Sequence, residues 1–334
     1  MAQLKDIPRS VLDLSPVVAG GTPGGALRDS LALARHAEKL GYHRYWVAEH
    51  HNMAGIASAA TSVVIGHIAA GTEHIRVGAG GIMLANHAPL VIAEQFGTLE
   101  SLFPGRIDLG LGRAPGGDQA AARALRRTLG TNGDDFPELL NELRGYFQPA
   151  RPGQPVRAVP GAGLDVPIWL LSSSGFSAQL AGVLGLPFAF AGQFSPHAMV
   201  ASCELYRNSF QASGALLEPY VMVGVNVIAA DTDAEARRLA TSHQQAFLNL
   251  IRGRPGQLPA PVESMDGYWS PEEAAAVAGN LSASIMGGPE TVRRGLEALE
   301  EETGADEIII NAMIFDQVAR MRSYEIVADV WDRE

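Results

Sequence analysis

The chain has 334 residues and 47% hydrophobic content, enough for one sizeable α/β domain. Its formal net charge of −11 weighs against a nucleic-acid partner, because a phosphate backbone rewards clustered Lys and Arg, and its single cysteine, Cys203, excludes an intrachain disulfide or a cysteine-based zinc site. The longest apolar runs, such as Val221 to Ala230, stop near about ten residues, and Met1 to Ser10 has no apolar core, so a soluble cytoplasmic protein without a membrane partner is expected.

Val11 to Leu14 reads as a first strand, followed by a glycine-rich loop at Gly20 to Gly25 and an amphipathic helix from Leu27 to Leu40. The second strand is the aromatic and β-branched run Tyr45-Trp46-Val47-Ala48-Glu49-His50-His51, which ends in three ionisable side chains. A helix from Thr61 to Ala70 leads to a third strand, Ile75 to Met83, and then a helix from Leu90 to Leu102. The fourth strand is Ile107 to Gly112. Residues 131–167 break the alternation with a charged helix, Phe136 to Tyr146, and a Pro/Gly-rich run, and are expected to be an insertion. Ile168 to Leu171 and Pro187 to Ala191 are strands five and six, separated by a helix from Ser177 to Leu184. Tyr220 to Ala229 is strand seven. After the helix Thr232 to Ile251, residues 252–288 form a second irregular stretch with a helix-like run at Pro271 to Val277, expected to be a lid or an insertion with its own structure. A helix opening at Pro289 precedes strand eight, Glu307 to Asn311, and a closing helix, Asp316 to Val330.

Eight strands separated by helices, with insertions after strands four and seven, predict a (β/α)8 barrel spanning 1–334 as one domain. A doubly wound sheet would need a G-x-G-x-x-G turn after a strand. Gly20 to Gly25 and the Gly110/Gly112 pair lack that order. In a barrel the chemistry lies just after each strand, which selects Ser15, Glu49, His50, His51, Gly80, Gly81, the Asn86-His87 loop, Arg113, Ser172 to Ser174, Gln193, Asn226 and Asn311. The serine turn before a helix is either an ordinary N-cap or, with Arg113, an anion site. Glycines within strand three allow close approach of backbone or of a flat ligand. His50 and His51, as neighbours on a strand, point to opposite faces, so no metal site is expected there. A neutral imidazole at the mouth is suited to acid–base work near pH 7.

Four pieces of the chain, in order, resemble the bacterial luciferase-like family of flavin monooxygenases. They are Tyr45 to His51; Ile75-Arg76-Val77-Gly78 through Leu84 with His87-Ala88-Pro89; Leu102-Phe103-Pro104-Gly105-Arg106-Ile107 through Arg113; and Gly287-Gly288-Pro289-Glu290-Thr291-Val292. The resemblance spans nearly the whole chain. It implies a (β/α)8 TIM barrel that binds reduced FMN at its carboxyl mouth and uses dioxygen to oxygenate a small organic substrate. It assigns His50 as catalytic and Glu49, Ala79, Gly80, Arg113, Ser173, Ser174, Gly175 and Phe176 as cofactor-binding. A non-proline cis peptide is implied at Ala79-Gly80, and residues 252–288 correspond to the family's mobile lid. The strand-five segment has only serines where luciferase has an acidic residue, so the phosphate contacts are expected to differ in detail. The implied partners are NAD(P)H or a separate NAD(P)H:flavin reductase and a second copy in a non-luminous homodimer. The alternatives are a deazaflavin-dependent hydride-transfer oxidoreductase and a non-catalytic flavin-binding paralogue.

Overall fold

The barrel follows from how apolar residues alternate along short strands in the computed structural model, which describes residues 4–113, 119–125 and 133–333. The first half runs β1 (Arg9–Asp13), α1 (Pro23–Lys39), β2 (Arg44–Val47), α2 (Thr61–Ala70), β3 (Arg76–Met83), α3 (Pro89–Leu102), β4 (Ile107–Gly112), α4 (Gln119–Leu125) and α5 (Phe136–Phe147). The second half runs β5 (Ile168–Ser172), α6 (Gly175–Leu184), β6 (Phe188–Phe190), α7 (Met199–Ser209), β7 (Val221–Ala229), α8 (Asp233–Ile251), α9 (Pro271–Asn280), β8 (Ile285–Gly287), α10 (Pro289–Thr303), β9 (Glu307–Asn311) and α11 (Gln317–Trp331). Consecutive strands pair in parallel from β1 to β7, and β7–β9 and β9–β1 pairs close the ring. The expected eighth strand is therefore β9. The extra β8 was not anticipated; it pairs with only the far end of β7, through Val227, Ile228 and Ala229. No helix among the described residues is long and apolar enough to cross a membrane.

Period-two alternation sorts the strand side chains into two layers. Val11, Tyr45, Val47, Val77 and Ala79 face outward into the core shared with the helices. Leu12, Trp46, Trp169, Met222 and Ile309 face inward and fill the barrel. Trp46 is paired across from Gly78, where a Cβ would come within 2.8 Å of the indole nitrogen, so the glycine makes room for the ring. Trp46, Trp169 and Tyr220 then stack edge to face at 5.2 and 5.6 Å.

The amino-terminal end of the barrel is sealed by ionic groups. Arg44 bridges Asp108 at 2.7 Å and Glu307 at 3.1 Å, Arg76 holds Asp108 at 2.6 Å, and the Arg44 guanidinium lies 4.8 Å from the Trp169 ring. Both carboxylates are buried, and burial alone would favour the neutral form of Asp108. At Asp108 the two arginines outweigh it and hold the carboxyl below its ordinary range. A plugged floor leaves the carboxyl end of the strands as the open face.

The β3–β4 seam allows no side chain at Gly110. A Cβ there would lie 2.1 Å from the Ala79 carbonyl oxygen and 2.9 Å from Leu171 Cδ1. Because backbone cannot step aside, Gly110→Ala is expected to cost about 1–3 kcal/mol, as for other overpacked interiors. Urea denaturation should show a lower midpoint at unchanged slope. Gly145 in α5 has nothing within 4 Å of its added Cβ, so Gly145→Ala should leave the midpoint unchanged or raise it.

The 252–288 stretch packs Met265, Val277 and Leu281 against Leu248 of α8, with Trp269 beside them. Arg252 pairs with Glu273 at 2.7 Å, and Leu258 bridges to Val18 in the loop after β1. Ser270 and Glu273 form a capping box that starts α9.

Candidate active site

β2 delivers Glu49, His50 and His51 to the barrel mouth, where Glu49 and His51 pair with each other and His50 lines the cavities. Glu49 is fully buried and accepts hydrogen bonds from His51 Nε2 at 2.8 Å, His87 Nε2 at 2.9 Å and the Met83 backbone N–H at 3.1 Å. Burial opposes its ionisation, but the His87 and His51 hydrogen bonds and the Met83 amide outweigh it, so the carboxyl titrates below its usual range. Glu49 thus ties the ends of β2 and β3 together and does not line the cavity, in contrast to the cofactor contact expected of it. Its donor atoms and those of His51 and His87 all lie within 4.8 Å of one another, close enough to hold a cation. The expectation of no metal rested on His50 and His51, as strand neighbours, pointing to opposite faces. Residues 49 and 51 instead converge, and His87 joins them from the loop before α3.

His50 lines two neighbouring cavities. The first, of about 340 Å³, is apolar on its inner side, where Leu12, Trp46, Met83, Leu171 and Ile309 meet Gly80 and Gly81. Its other side carries Arg113 and the turn Ser172 to Ser174. Ser172 Oγ donates to the Ser174 carbonyl at 2.7 Å, which shapes the turn. The first turn of α6 takes no side-chain cap from Ser174, so an anion finds uncapped backbone N–H groups there beside a guanidinium. Arg113 lies 4.5 Å from the Phe176 ring, which steadies its planar head. Gly175 is the first residue of α6, and Phe176, 43% exposed, carries the ring that Arg113 covers.

The expected cis peptide is displaced by one residue: it joins Gly80 to Gly81, not Ala79 to Gly80. Ala79 sits in regular register with Val47 and Leu109 and turns its methyl group outward, so it is not part of the cavity wall. The β3–β4 register shifts only between Ala79 and Ile82, where the two glycines lie. Ser15, another expected mouth residue, is buried and hydrogen-bonded to Ser30 at 2.8 Å.

The second cavity, of about 370 Å³, shares Leu14, His50, Gln193 and Phe194 with the first. It extends past Asn226 and Asn311 to His243, Phe247 and Leu250 of α8 and to Pro255 to Leu258. His243 was not singled out from the sequence. Its only signal there is the helical spacing that puts residues 243, 247 and 250 on one face of α8.

The family model for luciferase-like monooxygenases matches residues 8–307. The chain is 63% identical to the uncharacterised protein YvbT of Bacillus subtilis (strain 168), covering 98% of each chain. It is 54% identical to a luciferase-like monooxygenase of Escherichia coli (strain K12), over 98% of this chain and 97% of that one. Among solved structures it is similar to apo-MsnO8, with a TM-score of 0.88 and 36% identity over 98% of both chains.

Proposed function

Because the chain belongs to the luciferase-like monooxygenase family, we propose that it is a flavin-dependent monooxygenase using reduced FMN and dioxygen to oxygenate a small organic substrate. The supporting observation is the division of one cavity into an apolar half and an anion-binding half, with His50 where that cavity meets a second one. FMN has matching parts, a flat ring system and a phosphate. Leu12, Trp46, Leu171 and the Gly80-Gly81 backbone would hold the ring. Arg113, Ser173, Ser174 and the α6 amino terminus would hold the phosphate. Bound reduced FMN supplies the two electrons by which one oxygen atom enters the substrate and the other leaves as water. His50 would hold or move a proton at the boundary between cofactor and substrate, while Glu49 fixes the flanking backbone through His51, His87 and Met83. The enzyme would work in the cytoplasm as a homodimer, with reducing equivalents from NAD(P)H directly or through a separate flavin reductase.

The test is an anaerobic titration with photoreduced FMN, followed by admission of air and measurement of oxygen uptake and hydrogen peroxide. Micromolar-class binding and flavin-driven oxygen consumption are expected. Binding of a deazaflavin in place of FMN would move the protein to hydride transfer, and binding of neither would sink the enzymatic reading. Arg113→Ala should weaken FMN binding by about tenfold to a hundredfold, the worth of a charged hydrogen bond. Riboflavin, which lacks the phosphate, should bind both proteins within about twofold of each other. An equal loss for both ligands would place Arg113 outside the phosphate grip.

A further inference from the structure

The second cavity holds three buried side chains that each keep a polar atom without a partner. They are Nδ1 of His243, Oδ1 of Asn311 and Oε1 of Gln193, on residues 9%, 4% and 7% exposed. Unsatisfied buried groups are costly unless a ligand completes them. The amide orientation at Asn311 follows from its neighbours. The backbone carbonyl of Gln193 can only accept, so Asn226 presents its Nδ2 there at 3.4 Å. That leaves Asn226 Oδ1 to accept from Asn311 Nδ2 at 2.9 Å, and the acceptor oxygen of Asn311 is its unpartnered atom. Asn311 is at the end of β9 and Asn226 within β7, so the rigid barrel fixes this acceptor.

His243 has no charged neighbour acting on it. Burial alone pushes its imidazole down to about 4, so it is uncharged near neutral pH and can donate or accept one hydrogen bond. Among the described residues, no Asp, Glu, Lys or Arg lines the cavity; His51, which does, already has the buried Glu49 carboxylate on its Nε2 at 2.8 Å, and much of the remaining wall is apolar, with Phe247, Leu250 and Met313 prominent. A carboxylate or an ammonium would therefore enter without a counter-charge.

We infer that this chamber selects an uncharged molecule with an apolar body and a head group that donates a hydrogen bond, an amide N–H or a hydroxyl, read by Asn311 with His243 beside it. The inference rests on the proposed monooxygenase for the chamber's role as the substrate site. The selectivity itself depends only on the chamber.

The probes are octanamide, N,N-dimethyloctanamide, octanoate and octylamine, titrated into the purified full chain at neutral pH by calorimetry. Octanamide is expected to bind about fivefold to tenfold more tightly than its dimethyl analogue, the worth of one hydrogen bond, and more tightly than either charged probe. Asn311→Leu should erase the difference between the two amides while leaving the dimethyl compound within about twofold. Should that variant fail to fold, His243→Phe, which keeps the volume and removes the ring nitrogens, should weaken octanamide selectively. Tighter binding of octanoate or octylamine, equal binding of the two amides, or no binding of any probe would overturn the inference. A parallel titration with reduced FMN separates the two readings. Octanamide binding without FMN binding defeats the monooxygenase and leaves the chamber's selectivity standing; FMN binding without octanamide binding does the reverse.

Discussion

Arg320→Met is expected to destabilise the fold by about 3–5 kcal/mol, the usual consequence of removing one partner from a buried ion pair. Arg320 Nη2 meets Asp13 Oδ1 at 2.7 Å, with side chains 2% and 0% exposed, and its Nε donates to the Ala312 carbonyl at 2.9 Å. Asp13 also accepts from the Tyr45 hydroxyl at 2.6 Å and the Ser15 backbone N–H at 2.8 Å. One carboxylate thus joins β1 to β2 and, through Arg320, to α11. Methionine fills much of the volume but leaves that carboxylate buried without its cation. Urea denaturation should show the loss, and Asp13→Asn in the Arg320→Met background should restore part of it. A loss under about 1 kcal/mol would mean that water reaches the pair. The same pair sets a dependence on pH. Burial would raise the Asp13 carboxyl, but Arg320, Ser30 and Tyr45 together hold it below its ordinary value, and Asp108 is likewise depressed. The folded state therefore binds fewer protons than the unfolded chain. Its extra stability is present above the unfolded carboxyl value of about 4 and is lost as pH falls through the folded values. Without Arg320 burial is opposed only by the hydroxyl contacts and the Ser15 backbone N–H, so Arg320→Met should begin losing stability at a higher pH than the parent protein. Coincident acid transitions for the two proteins would contradict this account.

His50→Ala is expected to lower substrate oxygenation by about a hundredfold or more, within the range that positioned acid–base groups supply, while reduced-FMN binding changes by less than about threefold. The separation is expected because the ring lies where the two cavities meet, whereas the proposed phosphate contacts come from Arg113 and the serine turn. Its ring packs edge to face with Phe194, their centroids 6.5 Å apart, at the boundary the two cavities share. Stability should hardly change, because the backbone on either side is tied down through Glu49 and His51. The measurement is the ratio of oxygenated product to hydrogen peroxide released per flavin oxidised, followed across pH. The variant should shift the ratio toward peroxide and flatten the profile, and His50→Gln should recover little if a titrating proton is what matters. Unchanged coupling in both variants would remove His50 from the proposed chemistry.

The sequence by itself determined the barrel and the end at which its cavities open. Short, nearly continuous apolar runs such as Tyr45 to Val47 and Val221 to Ala229, separated by helix-period stretches, are local patterns that survive in any packing, and their order leaves little choice of topology. His50, Arg113 and the serine turn follow because they come directly after strands, where a closed parallel barrel opens. Only the tertiary structure decided the partners. Glu49 meets His87 from 38 residues away, Arg44 meets Glu307 from 263, and Asp13 meets Arg320 from 307. Nothing in the local pattern around any of these residues encodes the other. The same holds for the cis peptide at Gly80-Gly81, since three glycines among residues 78–81 read alike until Trp46, Leu12 and Gly110 surround them. It holds for β8, three residues long, which exists only because the end of β7 runs beyond the barrel and offers it a ladder. His243 reads as one more polar residue on a helix until the barrel mouth, the residues after β2 and the 255–258 segment close around it. Periodicity is written along the chain, whereas a side chain's charge state and partners depend on what folding brings within a few ångströms of it.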